Sequence, residues 1–257
     1  KICIVYFLMD NIFLFTGYNR TDLIEFFIEK HVDIHALVIP PLDKYIKAMT
    51  DIISLCSKYS IPIISAKNIN TNFSSDLISN SILYSSGYPL IIKPNIYNQF
   101  KFAINCHPSL LPRNRGKYLE YILLNRDEYS GTTLHHIDQG CDTGPMIMQS
   151  TFEVDLCDTV KTLLAKSYSH EIKLLDRLFN DLDLLLDPIP QDESLATTYI
   201  TKRTPKDSIV EHSISLLEAY MMSRAFDDEK YPGYFIYNGY KIVFKMEASP
   251  LSPDDQL

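Results

Sequence analysis

Glycine is scarce in this chain: there are eight in 257 residues, and only Gly17 stands before residue 87. No GxGxxG string follows the first apolar run, nor does a phosphate-cradling P-loop, so the usual glycine-dependent nucleotide fingerprints are excluded. No CxxC pair occurs among Cys3, Cys56, Cys106, Cys141 and Cys157. Their odd number and wide spacing argue against a disulfide framework and a zinc ribbon, and leave reduced thiols as the reading. Basic residues are outnumbered 24 to 32, for a net charge of −8. That balance argues against work on bulk nucleic acid, which calls for a broad basic surface. No apolar run approaches the roughly 20 residues needed to span a bilayer. "KICIVYFLMD" is apolar but short, and its acidic end without a small-residue cleavage site suits a first buried strand better than a signal peptide. Apolar residues are what the chain has in plenty, 46% of the total, enough for a large core.

The first hundred residues alternate between two periodicities. "ICIVYFL" is a continuous apolar run, the pattern of a strand buried on both faces. "TDLIEFFIEKHV" sets Leu23, Phe26 and Phe27 opposite Glu25 and Glu29, with Thr21 as N-cap. "IHALVIP", "IPIISA", "SILYSS" and "FAINCH" have strand length, and "LDKYIKAMTDIISLCSKYS" reads as a second amphipathic helix. Such alternation predicts an α/β fold, a Rossmann-like, mostly parallel sheet flanked by helices. A ligand belongs outside the carboxyl ends of its strands, and "NCHPS" sits at such an end. "GTTLHHID" and "GPMIMQSTFEV" read as two more strands, followed by a long helix capped by Asp158. The Pro-containing "DPIPQDESLATTY" breaks the pattern and places a boundary there, between residues 1–187 and a small C-terminal region, residues 188–257. That region holds the short helix "SLLEAYMMSRAF" and a hairpin, since Asn238-Gly239 joins two β-rich runs.

The chemistry concentrates in "INCHPSLLPRNRG", Ile104 to Gly116. Asn105 and His107, two apart in an extended chain, point to the same side. A histidine at a loop entrance can act as acid or base near neutral pH, and an asparagine amide can donate to a developing oxyanion. That pairing suits acyl transfer, with a carboxylate drawn from Asp138 or Asp142 in the glycine-punctuated "HIDQGCDTGP". By itself the pair equally describes a satisfied loop. A metal site of His135, His136 and Asp142 is disfavoured, because adjacent strand residues face opposite sides. Arg113, Arg115 and Lys117 form a basic cluster, which is either a solvated surface or a local anion grip.

Three motifs in order, "INCHPSLLPRNRG", "GTTLHHIDQGCDTGPMIMQ" and "ITKRTPKDSIV…YPGYFIYNGYKIVF", resemble the N10-formyltetrahydrofolate-dependent formyltransferases. The similarity runs from about residue 80 to 245 in order along the chain. It implies the formyltransferase fold, with residues 1–187 as catalytic domain, and a catalytic trio of Asn105, His107 and Asp142. It also implies a folate slot between Tyr88, Leu90 and Ile92 on one segment and Ile137, Asp138 and Gly140 on the other, with no metal. Among the branches of that family, the tail resembles the nucleotide-sugar N-formyltransferases. The acceptor so implied is the 4-amino group of a 4-amino-4,6-dideoxyhexose on a nucleoside diphosphate, gripped by Arg115 and Arg203. A methionyl-tRNA enzyme would carry a larger basic C-terminal domain, and a glycinamide ribonucleotide enzyme a glycine-rich loop where "YFLMDNIFLF" stands. The chain departs from the sugar branch in having no tryptophan after its "KRTPKD" string, where Ile209-Val210-Glu211-His212 stands instead.

The resemblance further implies a cytoplasmic enzyme that supplies a surface polysaccharide such as O-antigen, with no nucleic-acid or membrane partner. A homodimer built through the hairpin is expected, since exposed strand edges invite pairing. The alternatives are a formyltransferase for another small amine and a non-catalytic nucleotide-sugar-binding protein.

Overall fold

The computed structural model of the chain describes residues 11–40, 48–116, 119–201, 204–226 and 231–252, so the strand expected over residues 2–8 lies outside them. The first described strand is β1 (Asn11–Phe15), within a stretch read from sequence as standing in place of a loop. Ile12 and Leu14 enter one core, Phe13 and Phe15 the other, and all four are fully buried. A strand covered on both faces needs such a continuous apolar run, and that need decides the assignment.

From β1 the chain winds through α1 (Thr21–Glu29), β2 (Asp33–Val38), α2 (Thr50–Lys58) and β3 (Ile63–Ile64). Two short helices, α3 (Ile69–Asn72) and α4 (Ser75–Ser79), lead to β4 (Ile82–Ser86), and α5 (Pro94–Tyr97) leads to β5 (Phe102–His107). Then come β6 (Arg115–Gly116), α6 (Glu120–Leu124), β7 (Tyr129–His136), β8 (Met146–Glu153) and α7 (Val160–Asn180). Seven strands form one sheet in the order β3-β2-β1-β4-β5-β7-β8. The first five run parallel, and β7 alone is reversed, pairing antiparallel with β5 and with β8, as the mostly parallel reading requires. α1, α2 and α7 cover one face through Leu23, Phe27, Ile52 and Leu175, and α3, α4 and α5 cover the other through Ile69, Ile78 and Tyr97.

Strand order reverses direction between β1 and β4, so their carboxyl ends diverge there and leave a crevice, the expected place for a ligand. Both expected caps shift by one residue. Arg20 takes the N-cap position of α1, with Thr21 inside the helix. Thr159 caps α7 in a reciprocal box with Thr162, while Asp158 receives Lys166 Nζ at 2.6 Å.

Beyond residue 187 the chain returns to the sheet at once: Ile189 bridges Met146, and β9 (Thr198–Tyr199) pairs with β6. α8 (Leu216–Ser223) leads into Ala225, which packs with Ile122, Leu123 and Leu163. The hairpin of β10 (Tyr234–Tyr237) and β11 (Tyr240–Val243) forms where the sequence places it. Asn238 and Gly239 turn it with φ of 47° and 83°, a left-handed pair that matches the twist of the strands. Among the described residues no helix is long and apolar enough to cross a membrane.

Candidate active site

Alternation along β5 sends Ile104 and Cys106 into the core cluster and leaves Asn105 and His107 on the side that opens to the crevice. The loop between β7 and β8 brings Asp142 to the same point. Asp142 Oδ2 lies 3.5 Å from His107 Nδ1, and Oδ1 lies 3.4 Å from Asn105 Nδ2. The three residues matched from sequence are therefore one cluster. His107 Nε2 meets the Asn114 carbonyl at 2.8 Å. Both ring nitrogens of His107 thus face acceptors.

Asp142 adopts a left-handed backbone, φ 56°, which aspartate tolerates better than most residues. Its Oδ2 also accepts the Gly116 N–H at 2.9 Å. Gly116 is itself at φ 99°, and a Cβ there would collide with the Tyr199 carbonyl, so only glycine brings that N–H so close. Burial alone would push the Asp142 carboxyl up. The charge of His107, the contact with His135 and the Gly116 N–H outweigh burial and hold it well below the usual carboxylate range.

His135, weighed in the sequence only within a disfavoured metal set, joins this cluster. It is buried, its Nε2 stands 3.1 Å from Asn105 Nδ2 and 3.6 Å from Asp142 Oδ1, and its Nδ1 meets the His136 carbonyl at 2.9 Å. Its signal was register: β5 and β7 pair Asn105 directly with His135, which no local pattern reveals. His136 points the other way, to the Leu185 carbonyl at 3.1 Å. No group of three or more metal-ligating side chains occurs among the described residues.

All six residues matched to the folate slot, Tyr88, Leu90, Ile92, Ile137, Asp138 and Gly140, line the same cavity of about 410 Å³ as Asn105, His107 and Asp142. Tyr88 packs edge-on against Phe15 at 5.3 Å, anchoring one side. Asp138 Oδ1 accepts from Gly140 N at 3.0 Å and Thr143 Oγ1 at 2.6 Å, so it shapes the loop that carries Asp142.

Of the basic pair, Arg115 lies among the described residues and is paired within the protein. Arg115 does not line the cavity, and only 4% of it is exposed. Its guanidinium is committed to protein: Nη1 and Nη2 bind Glu193 at 2.9 and 2.7 Å, and Nε and Nη2 bind Gln191 Oε1 at 3.1 and 2.7 Å. A sequence cannot show that the chain after α7 returns two acceptors to this arginine. Arg203 and Lys117 lie outside the described residues, and Arg113 is exposed beside a second cleft.

Residues 70–178 match the model of the formyl transferase family. The bifunctional polymyxin resistance protein ArnA of Wigglesworthia glossinidia brevipalpis is 29% identical over 193 residues, which are 70% of this chain and 28% of that protein. In fold the chain is similar to a 4-N formyltransferase from Francisella tularensis, with 22% identity, a TM-score of 0.71, and coverage of 95% of this chain and 100% of that one. It is similar too to the N-formyltransferase from Helicobacter canadensis solved with folinic acid and dTDP-3-aminofucose, at 19% identity, TM-score 0.66, and coverage of 91% and 86%. Curated relatives, methionyl-tRNA formyltransferases among them, are longer, and this chain spans 28–56% of their length. That match falls on the strands and loop that carry Asn105, His107 and Asp142, so residues 70–178 are a formyl transferase domain.

Proposed function

We propose that this chain transfers a formyl group from N10-formyltetrahydrofolate to the 4-amino group of a nucleotide-linked amino-dideoxy sugar, in the cytoplasm, for a surface polysaccharide. The observation that carries the reading is the meeting of Asn105, His107 and Asp142 at a cavity whose wall includes Tyr88, Leu90, Ile92 and Ile137. Apolar side chains flanked by backbone amides suit a flat pterin ring, so the residues present fit the donor. The folate supplies the formyl group at its N10 nitrogen. His107, on the same side of β5 as Asn105, is placed to donate to the oxygen that gains negative charge in acyl transfer. Asp142 orients that ring from its Nδ1 side, and the proton lost by the attacking amine would pass to the N10 nitrogen as its bond to the formyl carbon breaks. Asn105 can serve the same oxygen by releasing its longer bond, the 3.4 Å one to Asp142, while His135 keeps hold of the amide nitrogen.

Support for a sugar acceptor comes from folds: the similar structures include formyltransferases for sugar amines, one of them solved with a dTDP-sugar and folinic acid. An acidic chain of net charge −8 favours a small anionic acceptor over a polyanion such as tRNA. The test is a panel of nucleotide-linked amino sugars, free amino sugars and methionyl-tRNA, each incubated with the formyl donor and read by mass gain of one formyl group. Formylation of the nucleotide-linked amino sugar is expected. His107→Ala and Asp142→Ala should lose about 10²–10⁴ in turnover, and Asn105→Ala about 10²–10³. Variants that keep more than half the parental turnover would remove the trio from the chemistry. Equal use of the free sugar would remove the nucleotide from recognition.

A further inference from the structure

Arg115 and Gln191 reach the catalytic carboxylate without touching the cavity. Gln191 belongs to the segment that follows α7 and has no place in the mechanism above. Its Nε2 donates to the Asp142 carbonyl at 2.9 Å and to the Gly144 carbonyl at 2.7 Å, so both amide hydrogens are spent on the loop that carries the carboxylate. Its Oε1 is spent on Arg115 Nε and Nη2. Arg115 in turn is pinned by the two-point bond to Glu193 and by its own N–H, which donates to the Thr197 carbonyl at 2.9 Å. The next residue is Gly116, whose N–H donates to Asp142 Oδ2.

We propose that Arg115 and Gln191 are positioning residues that hold Asp142 from two sides, by its carbonyl through Gln191 and by its carboxylate through the Gly116 N–H. The need for such a hold is local. Asp142 sits at positive φ, a conformation that an unsupported loop of L-residues leaves readily. Its carboxylate must still stay 3.5 Å from His107 Nδ1. A planar guanidinium with donors on several nitrogens can take a carboxylate and an amide oxygen together, which a lysine ammonium on a flexible stem does not reproduce. The segment after α7 thereby becomes part of the active site although none of its side chains lines the cavity. Arg115 acts here through Asp142 and not on the acceptor.

This inference rests on the proposed function only for its kinetic part, and the test separates the two. Gln191→Ala deletes the loop contacts and leaves Arg115 its Glu193 partner; Arg115→Lys keeps the charge and loses the fork. Amide hydrogen exchange is followed at Gly116 and across residues 138–144, together with steady-state kinetics on the full chain. Both variants should exchange roughly tenfold faster in that loop with the rest of the sheet unchanged, and kcat should fall by about tenfold or more with both KM values within about threefold. Unchanged exchange in the loop overturns the proposal. So does an Arg115→Lys variant with parental kcat and a raised acceptor KM, which would return Arg115 to substrate binding. If the parent chain formylates nothing in the panel, the proposed function falls, and the exchange data still decide the positioning.

Discussion

Asp142 is a half-buried carboxylate with two imidazoles and one peptide N–H directed at it, on a backbone that most residues avoid. Folding lowers its pKa, so the ionised group stabilises the fold at any pH above its unfolded value, roughly 3.9, and that contribution drains away as pH falls from there toward the folded value. Asp142→Asn keeps the size and the tolerance for positive φ but not the charge. It should be less stable than the parent at pH 7, with the gap closing below about pH 4. Urea unfolding at pH 7 and pH 3 measures this, and a gap that ignores pH would mean that charge is not what holds the loop. At this scale the motif made Asn105 and His107 legible. Asp138 and Asp142, four residues apart, look alike in sequence, and only three-dimensional contacts divide them into a turn-maker and a partner of His107.

Elements show where periodicity reads well and where it misleads. α7 was visible as a long amphipathic helix, yet Glu171 in its middle would pass for a solvated position. It is buried, and so is Arg20 from the turn before α1; Arg20 Nη1 meets Glu171 Oε2 at 2.6 Å and Tyr84 donates to Oε1 at 2.6 Å. Arg20 also holds Asp22 at 2.7 Å, so losing Glu171 removes one of its two carboxylates, and Glu171→Ala should lose about 1–3 kcal/mol of stability. Chemical denaturation reads this, and a loss under about 1 kcal/mol would show that water reaches Arg20 instead. The hairpin makes the opposite point. Its turn was legible from Asn238-Gly239, but nothing local says what covers Tyr240, Ile242 and Val243, which stay exposed along β11. β10 is flanked by the bridge from Ile209 to Tyr234, which leaves β11 as the outer edge among the described residues. We expect β11 to pair with its counterpart in a second copy about a two-fold axis. Light scattering at micromolar concentration should give a dimer mass, and Ile242→Asp should shift it to monomer. A monomeric parent would refute the pairing.

Across the whole molecule, the sheet order places the site, because β1 and β4 are neighbours whose connections leave in opposite directions. The sequence by itself determined the parallel core, since continuous apolar runs such as Ile12 to Phe15 can be buried only between two helix layers. It determined the hairpin turn, because left-handed φ at two successive positions selects Asn-Gly. It also marked Asn105, His107 and Asp142, through a motif whose spacing reaches one side of a strand and one loop. Only the tertiary structure decided the company of those residues. His135 joins Asn105 through a pairing register, Glu171 finds Arg20 across 151 positions of chain, and Arg115 finds Gln191 and Glu193. The physical reason is the same each time: burial and turn preferences act within a few residues and leave a local pattern. Hydrogen bonds between distant segments exist only once the chain has closed on itself.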